Sequence, residues 1–299
     1  MSTQPIATQF VATNRIYHDV IHAPDAETRQ QRYIQGLVQP WQQMMSMMSQ
    51  GDDDPLAGAR TWNWLLPDQL TTEPDVLTTL EAADVWRIAA EAMQRAVQCF
   101  APYADRIPFD HIEGWLTLGD AERSDPVLRG YTGATDWFQP RFVVQYDTPT
   151  EANLRALPGT VVHEMHHLIR LRIFPFTPNI TVGEYIVLEG LAESFAGALF
   201  GDAVLGHYVT DFDNSQLATA KALIQDGLDV SGFGVVRAYI FGDHWRQMTG
   251  AEPIGMPTYG GYAIGYRIVQ AYLQQTGRTI AEATFLPADE IISESGYFG

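Results

Sequence analysis

The chain has 299 residues, 46% of them hydrophobic, enough for one large domain or two lobes with a substantial core. Its 36 acidic residues outnumber 18 basic ones, and the formal net charge of −18 argues against nucleic acid and anionic membrane as partners, since both are polyanions. A single cysteine, Cys99, excludes an internal disulfide; no apolar run is long enough to span a membrane; and Met1-Ser2-Thr3-Gln4-Pro5 lacks the basic and apolar parts of a signal peptide, so a cytoplasmic protein is expected.

Helical patterns occupy 27–48 and 76–100, separated by an Asp- and Pro-rich interruption near 51–75, and residues 1–104 read as an N-terminal helical region. Trp41, Met44, Met45 and Met48 share helix faces, a pattern that suits a core or a lobe interface. Gly51-Asp52-Asp53-Asp54-Pro55 reads as a solvated loop, because the remaining ligand spacing of an EF-hand is missing. Short β-rich segments follow between 112 and 147, notably 114–118 and 141–146, bounded by Gly, Asp and Pro, and these predict a small sheet. Thr148-Pro149-Thr150-Glu151 is expected to cap the next helix, and Pro158-Gly159 to break it before the following one begins.

That following helix carries His163-Glu164-Met165-His166-His167, an HExxH pattern. Residues four apart share a helix face, so His163 and His167 can hold one tetrahedral zinc while Glu164, one step round, faces water as general base. The flanking positions 161, 162, 165, 168, 169 and 171 are apolar, which buries the motif, and buried imidazoles and carboxylates need partners. A second buried helix opens on a capping box at Thr181 and Glu184 and places Glu189 and Glu193 on one face with Ala196 and Phe200. Catalytic zinc sites commonly use three protein ligands, and Glu189 supplies the third here; Glu193 then accepts a hydrogen bond from the outer ring nitrogen of a liganding histidine, His163. Because both carboxylates lie on one face, the two assignments can be exchanged, and a salt bridge from Glu193 to Arg170 or Arg172 is the structural alternative. Gly190 is expected to let the two helices approach closely.

These segments, with Gly261-Tyr262-Ala263-Ile264-Gly265-Tyr266-Arg267-Ile268-Val269 further on, resemble the gluzincin peptidases and, more closely, the bacterial DUF2268 family of predicted zinc-dependent proteases. The resemblance runs from about residue 105 onward. It implies zinc ligands at His163, His167 and Glu189, a catalytic base at Glu164, and a zincin-like domain over 105–299: an α+β fold, predominantly helical, with a small sheet before the HExxH helix. By the same analogy an edge strand, at Gly130-Tyr131-Thr132-Gly133 or the strand that follows it, is expected to bind extended peptide. The mechanism also needs a donor for the developing oxyanion, from His244, Tyr259, Tyr262 or Tyr266; Tyr262, flanked by glycines, is the choice. His166 is assigned a structural role, and His18, His22, His111 and His207 lack metal spacing. The expected activity is zinc-dependent hydrolysis of peptide or protein substrates; the competing reading is a metal-stabilised binding or regulatory protein with a non-hydrolytic site, and a small amide or ester substrate is a third.

Overall fold

Strands at the centre of the predicted sheet are apolar on both faces, as strands covered on both sides must be. In the computed structural model, which describes residues 6–48, 53–250 and 252–299, four strands form one mixed sheet in the order β1-β2-β4-β3. They are β1 (Ala7–Phe10), β2 (His111–Leu118), β3 (Tyr131–Thr135) and β4 (Arg141–Tyr146). The β1–β2 and β2–β4 pairs are parallel and β3–β4 is antiparallel, with Gly114 opposite Phe142 and Gly133 opposite Val144. Leu116, Leu118, Phe142, Val144 and Tyr146 are fully buried. Helix α1 (Thr13–Ile21) sets Tyr17 so that its hydroxyl accepts the Leu118 N–H at 2.9 Å, and burial pushes that phenol's pKa far up. Helix α2 (Val85–Cys99) sends Met93 onto β2 at Gly114, where a Cβ would lie 2.7 Å from the Met93 sulfur.

By its contacts the chain divides into Met1–Leu168 and Ile169–Gly299. The sequence reading drew its one boundary near 104; β1 pairs with β2 across that position, and the division by contacts falls after Leu168. A four-residue strand gives too short an alternation to be read from sequence. The pattern over 27–48 is a succession: an α-helix at Ala26–Tyr33, a π turn at Ile34–Val38, a 3-10 turn at Gln39–Trp41 and an α-helix at Gln42–Met48. Pro40, which cannot donate a backbone hydrogen bond, sits at the switch. Trp41, Met44 and Met45 are buried as expected, Trp41 packing edge-on against Trp62 and Trp115 at 5.6 and 6.1 Å. Of the acidic loop, Gly51 and Asp52 lie outside the described residues, as do Met1 to Pro5; Asp54 caps the Leu56 N–H and pairs with Arg60 at 2.9 Å.

Helix α3 spans Glu151–Ile173 without interruption, with Pro158 inside it. The expected break at Pro158-Gly159 is therefore absent. A proline inside a helix forfeits one backbone bond and crowds the preceding turn, at about 3 kcal/mol. Leu157, Val161, Val162, Met165, Leu168 and Ile169, all essentially inaccessible to solvent, offset that loss by burial. Thr150 and Asn153 cap the helix reciprocally, each backbone N–H donating to the other's side-chain oxygen at 2.7 and 3.2 Å.

The second unit is built on helices α4 (Val182–Phe200), α5 (Leu217–Gly227), α6 (Phe233–Phe241), α7 (Gly260–Thr276) and α8 (Ala288–Glu294), with shorter helical turns between and an isolated β-bridge of Thr181 with Ser231. The capping box at Thr181 and Glu184 forms as predicted. Ile186, Leu191, Ile224, Ile240, Ile264 and Ile268 fill its core. The close approach at Gly190 is made to α7, whereas the sequence reading assigned it to the HExxH helix: a Cβ on Gly190 would lie 2.2 Å from the Gly265 carbonyl oxygen, and one on Gly265 2.1 Å from that of Ile186. Backbone against backbone cannot yield as a flexible side chain can. Gly190→Ala is accordingly expected to lower the unfolding free energy by roughly 1–3 kcal/mol, read from the urea midpoint.

Candidate metal centre

Helical geometry stacks the two histidines of HExxH one turn apart. Their rings are 4.6 Å apart and nearly perpendicular, and both side chains are buried. Glu164 follows His163 and turns toward β3. There the Thr135 hydroxyl lies 3.2 Å from Oε2 of Glu164 and 3.1 Å from its main-chain carbonyl, sharing one proton between them. Gly133, two residues earlier on the same strand, leaves the space that the carboxylate fills: a Cβ would stand 2.3 Å from Oε1 and 2.6 Å from Cδ. Any larger residue at 133 displaces the carboxylate. Thr135 was not assigned to the site from sequence, and Gly133 only to a peptide-binding edge strand, although an interior strand glycine is a recognised sign of close approach by another group.

Glu189 on α4 is also buried, and one ligand atom each from His163, His167 and Glu189 falls within 4.8 Å of the others. Ligand atoms about 2.0–2.2 Å from a tetrahedral ion lie roughly 3.3–3.6 Å from one another. The observed spread thus admits one ion with small side-chain adjustments. Two imidazoles and one carboxylate are a donor set suited to zinc, and the cluster is compatible with a metal site. Of the two exchangeable carboxylates it is Glu189 that belongs to it.

Glu193, one turn along α4, accepts the Gly206 N–H and the Tyr208 hydroxyl, the latter at 2.7 Å. These donors come from the chain just after α4, too irregular a stretch for sequence to position. The alternative partner Arg170 donates instead to the carbonyls of Thr284 and Leu286. Tyr262 on α7 packs in an aromatic cluster, its ring centroid 4.4 Å from Tyr208, 5.6 Å from Tyr259 and 5.8 Å from Phe241. His207, read from sequence as an isolated histidine, joins the same cluster at 5.5 Å from both Tyr208 and Tyr259. Tyr259 holds φ at 60°, a left-handed conformation that costs a non-glycine residue roughly 1–2 kcal/mol. The Tyr266 phenol is pushed up by burial and by the charges of Asp202 and Glu193. His166 is fully buried with its ring 6.4 Å from that of Phe100, in keeping with a structural role. His244 stands on the short helix Asp243–Met248.

Residues 85–293 match the family described as predicted Zn-dependent protease (DUF2268). The chain belongs to this family. Among curated proteins, this DUF2268 chain is 34% identical over 246 residues to the uncharacterized protein YjfC of Bacillus subtilis, which covers 82% of the chain and 81% of YjfC. It is 24% identical over 146 residues to the uncharacterized protein YjaZ of the same organism, covering 48% of the chain and 52% of YjaZ. No solved structure matches. The DUF2268 match begins at the first residue of α2 and takes in β2 to β4, α3 and α4, so every residue of the cluster lies within it. Among the described residues no helix is long and apolar enough to cross a membrane.

Proposed function

We propose that the protein is a zinc-dependent peptidase of gluzincin type in which Glu164 is the general base. The observation that carries this reading is the buried His163, His167 and Glu189 cluster, with a carboxylate from the same helix held separately against the sheet. A purely structural metal site has no use for Glu164 in that position. Zinc, when bound by the two imidazoles and Glu189, supplies Lewis acidity to a water and to the scissile carbonyl.

The chain's own groups do the rest. Thr135 donates to Oε2 of Glu164 and orients the carboxylate, which takes the water proton and returns it to the departing amine. Strand β3 is terminal in the sheet, so its outer edge can receive an extended substrate by β-addition, with Gly133 beside the carboxylate. The oxyanion donor is assigned to Tyr262, the candidate flanked by glycines; its neighbour Tyr208 commits its hydroxyl proton to Glu193.

Zinc-loaded protein is expected to cleave members of a mixed peptide library, with new termini read by mass spectrometry, to stop on chelation and to recover when zinc is restored. Full zinc occupancy without cleavage of any peptide favours the non-hydrolytic binding protein. Gly133→Ala gives a finer test of the role of Glu164: zinc content unchanged, and kcat lowered by about 100-fold, the effect expected for a catalytic group misplaced by roughly 1 Å. Unaltered turnover in Gly133→Ala would mean that the carboxylate position does not matter.

A further inference from the structure

The second unit contains a half-open pocket of about 640 Å³, a size that suits a small organic ligand. Its walls are apolar, from Leu171, Ile180, Leu188, Leu228 and Ile292, and its charged lining has both signs: Arg170 with Glu184, Asp229 and Asp289. None of the metal-cluster residues lines it.

Arg170 is the unusual member. It is 4% exposed, and its guanidinium lies over the Phe174 ring at 3.9 Å. Among the described residues its hydrogen bonds run from Nη1 alone, to the carbonyls of Thr284 at 2.7 Å and Leu286 at 2.5 Å. The Nε–Nη2 edge, which takes a carboxylate by two parallel hydrogen bonds, is used by neither. Glu184 acts on the cation only at a distance, its carboxylate being engaged by the Thr181 N–H at 2.8 Å. Burial pulls the Arg170 pKa down to about 10, which leaves the group cationic at neutral pH. A buried cation whose partners are neutral carbonyls is incompletely compensated, and an anion is what completes it.

We propose that this pocket binds the carboxylate end of an apolar amino acid or short peptide. The Nε–Nη2 edge of Arg170 takes the carboxylate, the apolar walls take the side chain, and the acidic residues receive the ammonium group. Those same three carboxylates disfavour a second negative charge, which selects against phosphates and dicarboxylates.

The test is calorimetric titration of the full-length, zinc-loaded protein with leucine, leucine amide and the dipeptide Leu-Leu. Saturable binding is expected for leucine or Leu-Leu, and at least about tenfold weaker binding for the amide, which lacks the carboxylate. Tenfold tighter binding of Leu-Leu than of leucine identifies a peptide end as the ligand; the reverse identifies the free amino acid. Ser293→Trp fills the pocket from an exposed position and leaves Arg170 and its carbonyl partners in place. It is expected to weaken binding at least about tenfold with an unchanged melting temperature, and Arg170→Lys to do the same if it folds. The proposal is overturned if no probe saturates below about 10 mM, if the amide binds as well as the acid, or if Ser293→Trp binds like the wild type, which would place the ligand elsewhere, including at the metal.

Discussion

Glu164→Gln is expected to lower kcat/KM for peptide cleavage by roughly 100- to 10,000-fold while leaving zinc content and melting temperature close to wild type. The amide has nearly the shape of the carboxylate, so the space beside Gly133 stays filled and the Thr135 hydroxyl keeps an oxygen to donate to. What disappears is an acceptor basic enough to take the water proton. The loss corresponds to about 3–5 kcal/mol of transition-state stabilisation, at 1.36 kcal/mol per decade. Single-turnover kinetics on any peptide found in the library would measure it. Full activity in a zinc-replete Glu164→Gln enzyme would sink the assigned mechanism, whatever the metal content proved to be.

The double substitution His163→Ala, His167→Ala is expected to reduce bound zinc from near one per chain to below about one tenth, by elemental mass spectrometry, because two of three ligands are gone. Stability gives a second reading. Zinc that binds only the folded chain stabilises it by about 2.7 kcal/mol at 100 times its Kd, so added zinc raises the wild-type melting temperature and leaves the variant's unmoved. His166→Gln serves as control. His166 packs toward Phe100, and its replacement should cost some stability without costing zinc, which separates ligand loss from damage to the helix. Equal zinc in the wild type and the double variant would refute the metal centre as assigned.

Much of this cluster could be read from the sequence because its donor residues obey a local period. His163, Glu164 and His167 are fixed relative to one another by 3.6 residues per turn alone, and Glu189 and Glu193 likewise; any fold that keeps both helices keeps those relations. The strands at 114–118 and 141–146 and the capping box at Thr181 were legible for the same reason, since alternation and end-capping act over a few residues. Local rules failed where distant packing competed with them. Pro158 signals a helix end in any short window, yet the buried flanks of α3 carry the helix through it. Gly190 announced a close approach without naming α7 as the neighbour, and β1 joins a strand more than 100 positions away.

The sequence by itself determined the donor types, their order and their helical phase, hence the pairing of His163 with His167 on one helix face and the place of Glu164 beside them. Only the tertiary structure decided that Glu189, rather than Glu193, joins the two histidines, that Glu193 turns to Tyr208 and Gly206, and that Gly133 and Thr135 of β3 hold Glu164. The physical reason is range: backbone periodicity correlates residues across a turn or two, whereas choosing between equivalent carboxylates, or seating a side chain against a strand, depends on contacts between elements that no local period encodes.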